Sequence, residues 1–134
     1  MKFNSDFRQR LKGNKKAAFD YFTKKERRIL VIGDIHAPFC LEGYLEFCQE
    51  TYAKHNCNQV IYIGDILDNH YSSFHQTDPN GMSGGTELEY AIEDVAKWNK
   101  AFPVADVLIG NHDRMIMRKA FDSDVPKQWI KSYN

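Results

Sequence analysis

No run of apolar residues in this chain approaches the roughly 20 needed to cross a bilayer. The N-terminus, MKFNSDFRQRLKGNKK, lacks the apolar middle of a secretory signal. The expectation is a cytoplasmic protein with no membrane partner. Cysteine is sparse: Cys40, Cys48 and Cys57 are odd in number, widely spaced and form no CxxC pair. Such a set favours neither a disulfide framework nor a thiolate metal knuckle, so buried or half-buried free thiols are expected. At 134 residues, 43% of them hydrophobic, the chain suits one soluble domain and is too short for a second complete one.

An excess of charge of either sign is also lacking, because 18 Lys and Arg balance 18 Asp and Glu. The balance hides an asymmetry. Residues 1–28 carry ten bases against three acids, and the acidic excess lies in the rest. A basic arm beside an acidic body could steer a polyanion, which makes nucleic acid a candidate partner. A plainer alternative is slightly favoured: two short solvated helices whose charges surround the apolar stripe Phe19, Tyr21 and Phe22. Ser5 would cap the first of them and Gly13 end it, with KKAAFDYFTKKE as the second. Residues 1–28 are therefore read as a basic helical extension and 29–134 as the folded domain.

The run RILVIGD, residues 28–34, reads as a β-branched strand of the kind buried on both faces of a parallel sheet. LEGYLEFCQETYAKHN then places Leu41, Tyr44, Leu45, Cys48 and Tyr52 on one helical face. His55 falls at that helix's end as a C-terminal charge or cap. QVIYIGD, residues 59–65, repeats the design of the first strand, so strand, helix and strand form a right-handed βαβ unit. NHYSSFHQTDPNGMSGG is a turn-rich surface loop. Thr86 and Glu89 form a capping box for TELEYAIEDVAKWNKAF, with Leu88, Ile92, Val95 and Trp98 facing inward and Pro103 as the stop. A third strand covers residues 104–110, RMIMRKAF resumes helical spacing, and PKQWIKSYN starts another helix. The fold class is α/β, with a mostly parallel sheet and flanking helices.

Each strand ends in glycine and then a polar cluster: GDIH at Gly33–His36, GDILD at Gly64–Asp68 and GNHD at Gly110–Asp113. In an open parallel sheet, ligands bind at the carboxyl ends of the strands, so the three clusters should converge there. Asp34 and His36 are two apart, and an extended exit from the strand would put both side chains on one side, able to hold one ion. With Asp65 and Asn111-His112 they offer oxygen and imidazole ligands suited to Mn, Fe, Zn or Mg. Asp65 is best placed to bridge two ions, one on each carboxylate oxygen. Taken singly, Asp34 also reads as a helix cap or Asx turn, His36 as a loop histidine and Asn111 as a turn residue. His70 and His75 read as rim or substrate-facing residues, and Tyr71 and Phe74 as rim or as packing beneath the loop.

GDxH, GDxxD and GNHD, in that order and each after a strand, resemble the calcineurin-like metallophosphoesterase superfamily. The resemblance spans Ile29 to about Asp113. It implies an αβ sandwich with a binuclear metal centre, Mn favoured, that hydrolyses phosphomonoesters or phosphodiesters. Carried over, it makes Asp34 and His36 ligands of the first metal, Asp65 the bridging ligand and Asn111 a ligand of the second. His112 would act on the phosphate as a transition-state stabiliser or acid, and Asp68 and Asp113 would orient His112 or a ligand. Two cations about 3.5–4 Å apart would clamp the phosphoryl oxygens and activate a shared water. The loop segment NHYSSFHQTDPNG gives a further, looser resemblance to phosphoesterases of bacteriophage genomes.

In that superfamily the motifs continue past GNHD with one more histidine and then a Gly-His-x-His pair. Here no histidine follows His112. The expectation is an N-terminal portion, truncated at its C-terminus, of a longer phosphoesterase, with a missing C-terminal half or self-association completing it. The rival is a non-catalytic metal- or nucleic-acid-binding module with a vestigial half-site.

Overall fold

The computed structural model describes Gly13, Lys15, Lys16, residues 26–76 and residues 78–129. Most of the expected N-terminal extension, with its two helices and apolar stripe, lies outside the described residues. Its last two bases do not. Arg28 donates from Nε to the Asn56 carbonyl at 2.7 Å and from its backbone N–H to Asn58 Oδ1 at 3.1 Å, while Arg27 reaches Gln59 Oε1 at 3.3 Å. These two arginines tie the entry of the first strand to the start of the second.

Three strands form one parallel sheet in the order β1 (Ile29–Ile32), β2 (Gln59–Tyr62) and β3 (Asp106–Val107). Helix α1 (Tyr44–Lys54) connects the first pair and α2 (Gly84–Ala101) the second; α3 (Met115–Asp122) follows β3. Because the strands lie side by side in chain order, two right-handed crossovers must place both connecting helices on the same face. The core sits there. Leu30, Ile32, Val60 and Tyr62 point from the sheet against Cys48 of α1 and Ala91, Trp98 and Phe102 of α2 and its end. Trp98 is the hub, with its ring centroid 5.3 Å from Tyr44 and 6.3 Å from Tyr62, both edge-on.

The expectation of strands buried on both faces is corrected. Burial alternates along β1 and β2, and Val31, Ile63 and Val107 are each more than half exposed. The strands are also shorter than expected. β3 covers two residues rather than seven and leaves Val104, Leu108 and Ile109 exposed, because it pairs on one side only among the described residues.

The helices shift as well. α1 begins at Tyr44 behind a left-handed Gly43, so Leu41 lies outside the helix and is exposed. His55 is its C-cap, as expected. The cap of α2 is Ser83, whose Oγ accepts the Thr86 N–H at 3.2 Å, rather than the Thr86–Glu89 box. Trp98 and half-buried Val95 of α2 face the core as expected, but its first half is turned by about one residue. Glu87, Ala91 and Trp98 are its buried positions, while Leu88 and Ile92, expected inside, are 48% and 60% exposed. Ala91 is 3% exposed within the core cluster, and the Glu87 carboxylate is held by backbone N–H groups described below. The final expected helix is a short 3-10 turn, Lys127–Trp129, within the described residues. All three cysteines are free, Cys48 buried and the other two half-buried, and burial pushes the Cys40 and Cys48 thiols up. Among the described residues no helix is long and apolar enough to cross a membrane.

Candidate metal centre

Beyond the strands, the first two polar motifs continue to pair. His36 N–H donates to the Asp65 carbonyl at 3.0 Å, Ala37 N–H to the Ile66 carbonyl at 2.8 Å and Asp68 N–H to the Ala37 carbonyl at 3.0 Å. The third motif joins them through glycine. Gly64, at φ 102°, and Gly110 lie back to back: a Cβ on Gly64 would overlap the Gly110 backbone, and one on Gly110 would overlap Asp65 Oδ1 and its backbone nitrogen. No other residue allows that approach.

Asp113 locks the junction. Its carboxylate accepts four backbone N–H groups: Asp65 and Gly110 on Oδ2 at 2.9 and 2.8 Å, Ile66 and Leu67 on Oδ1, both at 3.0 Å. Expected to orient a ligand or His112, it is 7% exposed and orients Asp65 by gripping the backbone on which that residue stands.

Asp34 and His36 leave the strand differently from the extended exit expected. Both are left-handed, at φ 52° and 49°, and Asp65 and Asn69 share that conformation at 53° and 52°. Outside glycine this conformation is uncommon, though Asn, Asp and His adopt it more readily than other residues, and a run of such positions is of the kind that gathers at functional sites. Ile35, 1% exposed between them, anchors the turn in the core. The result still brings the pair together, with His36 Nε2 3.8 Å from Asp34 Oδ1.

Asp68 organises the imidazoles. Its Oδ1 is 2.7 Å from His36 Nδ1, and its backbone carbonyl is 2.7 Å from His112 Nδ1. Both oxygens are acceptors only, so each Nδ1 carries the proton and each Nε2 presents a lone pair. The two rings stand edge to face, with centroids 4.5 Å apart. Asp65 Oδ1 accepts the His112 N–H at 2.8 Å.

The ligand atoms of Asp34, His36 and Asp65 all lie within 4.8 Å of one another. Two atoms bound tetrahedrally to one ion at about 2.1 Å sit about 3.4 Å apart, against 3.8 Å for His36 Nε2 and Asp34 Oδ1. The trio has the donor chemistry for a divalent cation, and this pair stands slightly wider than an ion would hold it. A second trio within the same limit is His36, Asp68 and His112. Its Asp68 oxygen and both Nδ1 atoms are already spent on each other and on the backbone, which suits an orienting group better than an ion cage. Asn111 is exposed in the turn after β3, one residue before the N–H that Asp65 holds. Phe74 is about half exposed and lies beneath two cations of α3, with Arg118 Cζ at 5.1 Å and Lys119 Nζ at 5.7 Å from its ring centre. His75 is exposed, and its N–H donates to Ser73 Oγ at 3.2 Å.

Two residues escaped the sequence reading. Asn69, left-handed, donates from Nδ2 to the His112 carbonyl at 2.9 Å, and an Asn directly after GDILD was the available signal. Glu87 has no comparable signal, since an acid in the first turn of a helix is ordinary.

The structure is thus an α/β protein with a parallel sheet and, at its carboxyl edge, a carboxylate–imidazole cluster of donor types that could hold a divalent cation. The chain belongs to the calcineurin-like phosphoesterase family, whose model matches residues 27–134. No curated protein and no solved structure matches it.

Proposed function

We propose that the chain carries the metal-binding part of a divalent-metal phosphoesterase. In it Asp34, His36 and Asp65 hold an ion, Asn111 contributes to a second, and His112 contacts the phosphate. The observation that carries this reading is the His36–Asp68 hydrogen bond of 2.7 Å, which sets the His36 tautomer so that Nε2 faces Asp34. An ion held there, Mn favoured among Mn, Fe, Zn and Mg, supplies positive charge to the oxygens of a phosphate ester.

The chain's own groups do the rest. Asp68 and Asp113 keep the imidazoles and the Asp65 backbone in place before substrate arrives. His112, its Nδ1–H fixed on the Asp68 carbonyl, directs Nε2 to the site and, when protonated there, donates to a phosphate oxygen or to the leaving oxygen. Family membership supports phosphate-ester substrates. The test is Mn(II) titration of the chain followed calorimetrically, with turnover of a bis-aryl phosphodiester as a second readout. Asp65→Asn should weaken Mn(II) binding at least about tenfold, in line with the cost of disturbing a metal's ligand shell. Equal affinity in that variant would sink the assignment.

A further inference from the structure

His70 and Glu87 take no part in the site described so far, yet they are joined to it. Glu87 is 5% exposed, and its two carboxylate oxygens accept the N–H groups of His70 at 2.7 Å and Tyr71 at 2.9 Å. That fastens the turn His70–Ser72 to the first turn of α2. From the other side, Asn69 fastens the same turn to the His112 carbonyl. Three consecutive residues, Asn69, His70 and Tyr71, are thus held from two sides, and the segment displays the His70 imidazole, its side chain 46% exposed.

His70 stands on the free side of Asp68. Oδ1 of that carboxylate faces His36 and His112, while Oδ2 lies 3.9 Å from His70 Nδ1, too far for a hydrogen bond. The His70 ring is edge-on to Phe39, with centroids 6.3 Å apart. Beyond it opens a cleft of about 480 Å³ bordered by Phe39, Asp68, His70, Asp78, Met82 and Glu87. A volume of that order accommodates a small organic group.

We propose that His70 is a substrate-contacting residue of this centre: it meets an oxygen of the phosphate ester from the side opposite His112, and Glu87 is its positioning residue. The inference rests on the metal site proposed above. A half-exposed imidazole has donors to offer an anion, and clamping its backbone removes the ordering cost that a free loop would bear on binding.

The test uses inorganic phosphate as the probe, titrated into the Mn(II)-loaded chain and into variants, with Mn(II) affinity measured in parallel. His70→Ala should weaken phosphate about tenfold, the scale of one charge-assisted hydrogen bond, and leave Mn(II) affinity unchanged. Glu87→Gln turns a donor toward one of the two N–H groups, so it should weaken phosphate severalfold in the native background and not at all in a His70→Ala background. Unchanged phosphate affinity in His70→Ala, with Mn(II) still bound, overturns this inference alone. A Glu87→Gln effect that persists without His70 overturns the positioning role. Failure of the native chain to bind Mn(II) overturns the metal site and this inference together. His70 is on the surface, so its variant remains informative even where Glu87→Gln unfolds.

Discussion

The two faces of the sheet are built from the same kinds of residue and have opposite fates. Leu30, Ile32, Val60 and Tyr62 are at most 8% exposed, while Ile29, Val31 and Ile63 on the other side are between 40% and 56% exposed. Hydrophobicity does not separate them. Strand order does, since neighbouring parallel strands with right-handed crossovers send every connecting helix to one side. The lesson is that a β-branched run establishes a strand, whereas the number of covered faces depends on where the connections travel. An apolar face left open in this way is a surface suited to contact.

The comparison can be broken most easily at Ile32, which is fully buried. Ile32→Ala should lower the unfolding free energy by about 3–4 kcal/mol in urea titration, as for large-to-small changes in a core. A loss below about 1 kcal/mol would mean that the helical face is not the tightly built one.

Tyr62 sharpens the contrast through pH. Its hydroxyl is buried with no hydrogen-bond partner among the described residues, and burial pushes its pKa up to about 12 from 10.0. The folded state therefore holds a proton that the unfolded chain releases. The associated stability is fully present below pH 10 and is lost as pH rises towards 12, by roughly 2–3 kcal/mol in all. Urea midpoints between pH 9 and 12 should fall more steeply for the native protein than for Tyr62→Phe. Identical slopes would show that the hydroxyl reaches water.

The smallest effect is expected on the bare face. Val31→Thr should change stability by no more than about 0.5 kcal/mol, as exposed substitutions do. If Val31→Thr instead cost as much as a core change, something would be covering that face in solution.

The motifs were legible because their chemistry demands local order. A ligand must leave a strand end through a glycine, so GDIH, GDILD and GNHD announce both the sheet edge and the cluster. The rotation of α2 was hidden, since Leu88 and Ile92 are as apolar as any buried pair. What turns the helix is Glu87, bonded to N–H groups 16 and 17 residues earlier in the chain. The Asp113 grip was hidden for the same reason, because its partners at Asp65, Ile66 and Leu67 lie 46 to 48 residues away.

Local sequence was enough to establish parallel strands joined by helices, the carboxyl-edge position of Asp34, His36, Asp65, Asn111 and His112, and free rather than paired cysteines. Those properties follow from periodicity, turn chemistry and spacing, which act over a few residues. Which face of the sheet is covered, which His36 nitrogen faces Asp34 and which carboxylate holds the backbone were decided by tertiary structure. Each depends on groups far apart in the chain that meet only when the crossovers close, and a hydrogen bond forms only where that closure puts donor and acceptor about 3 Å apart.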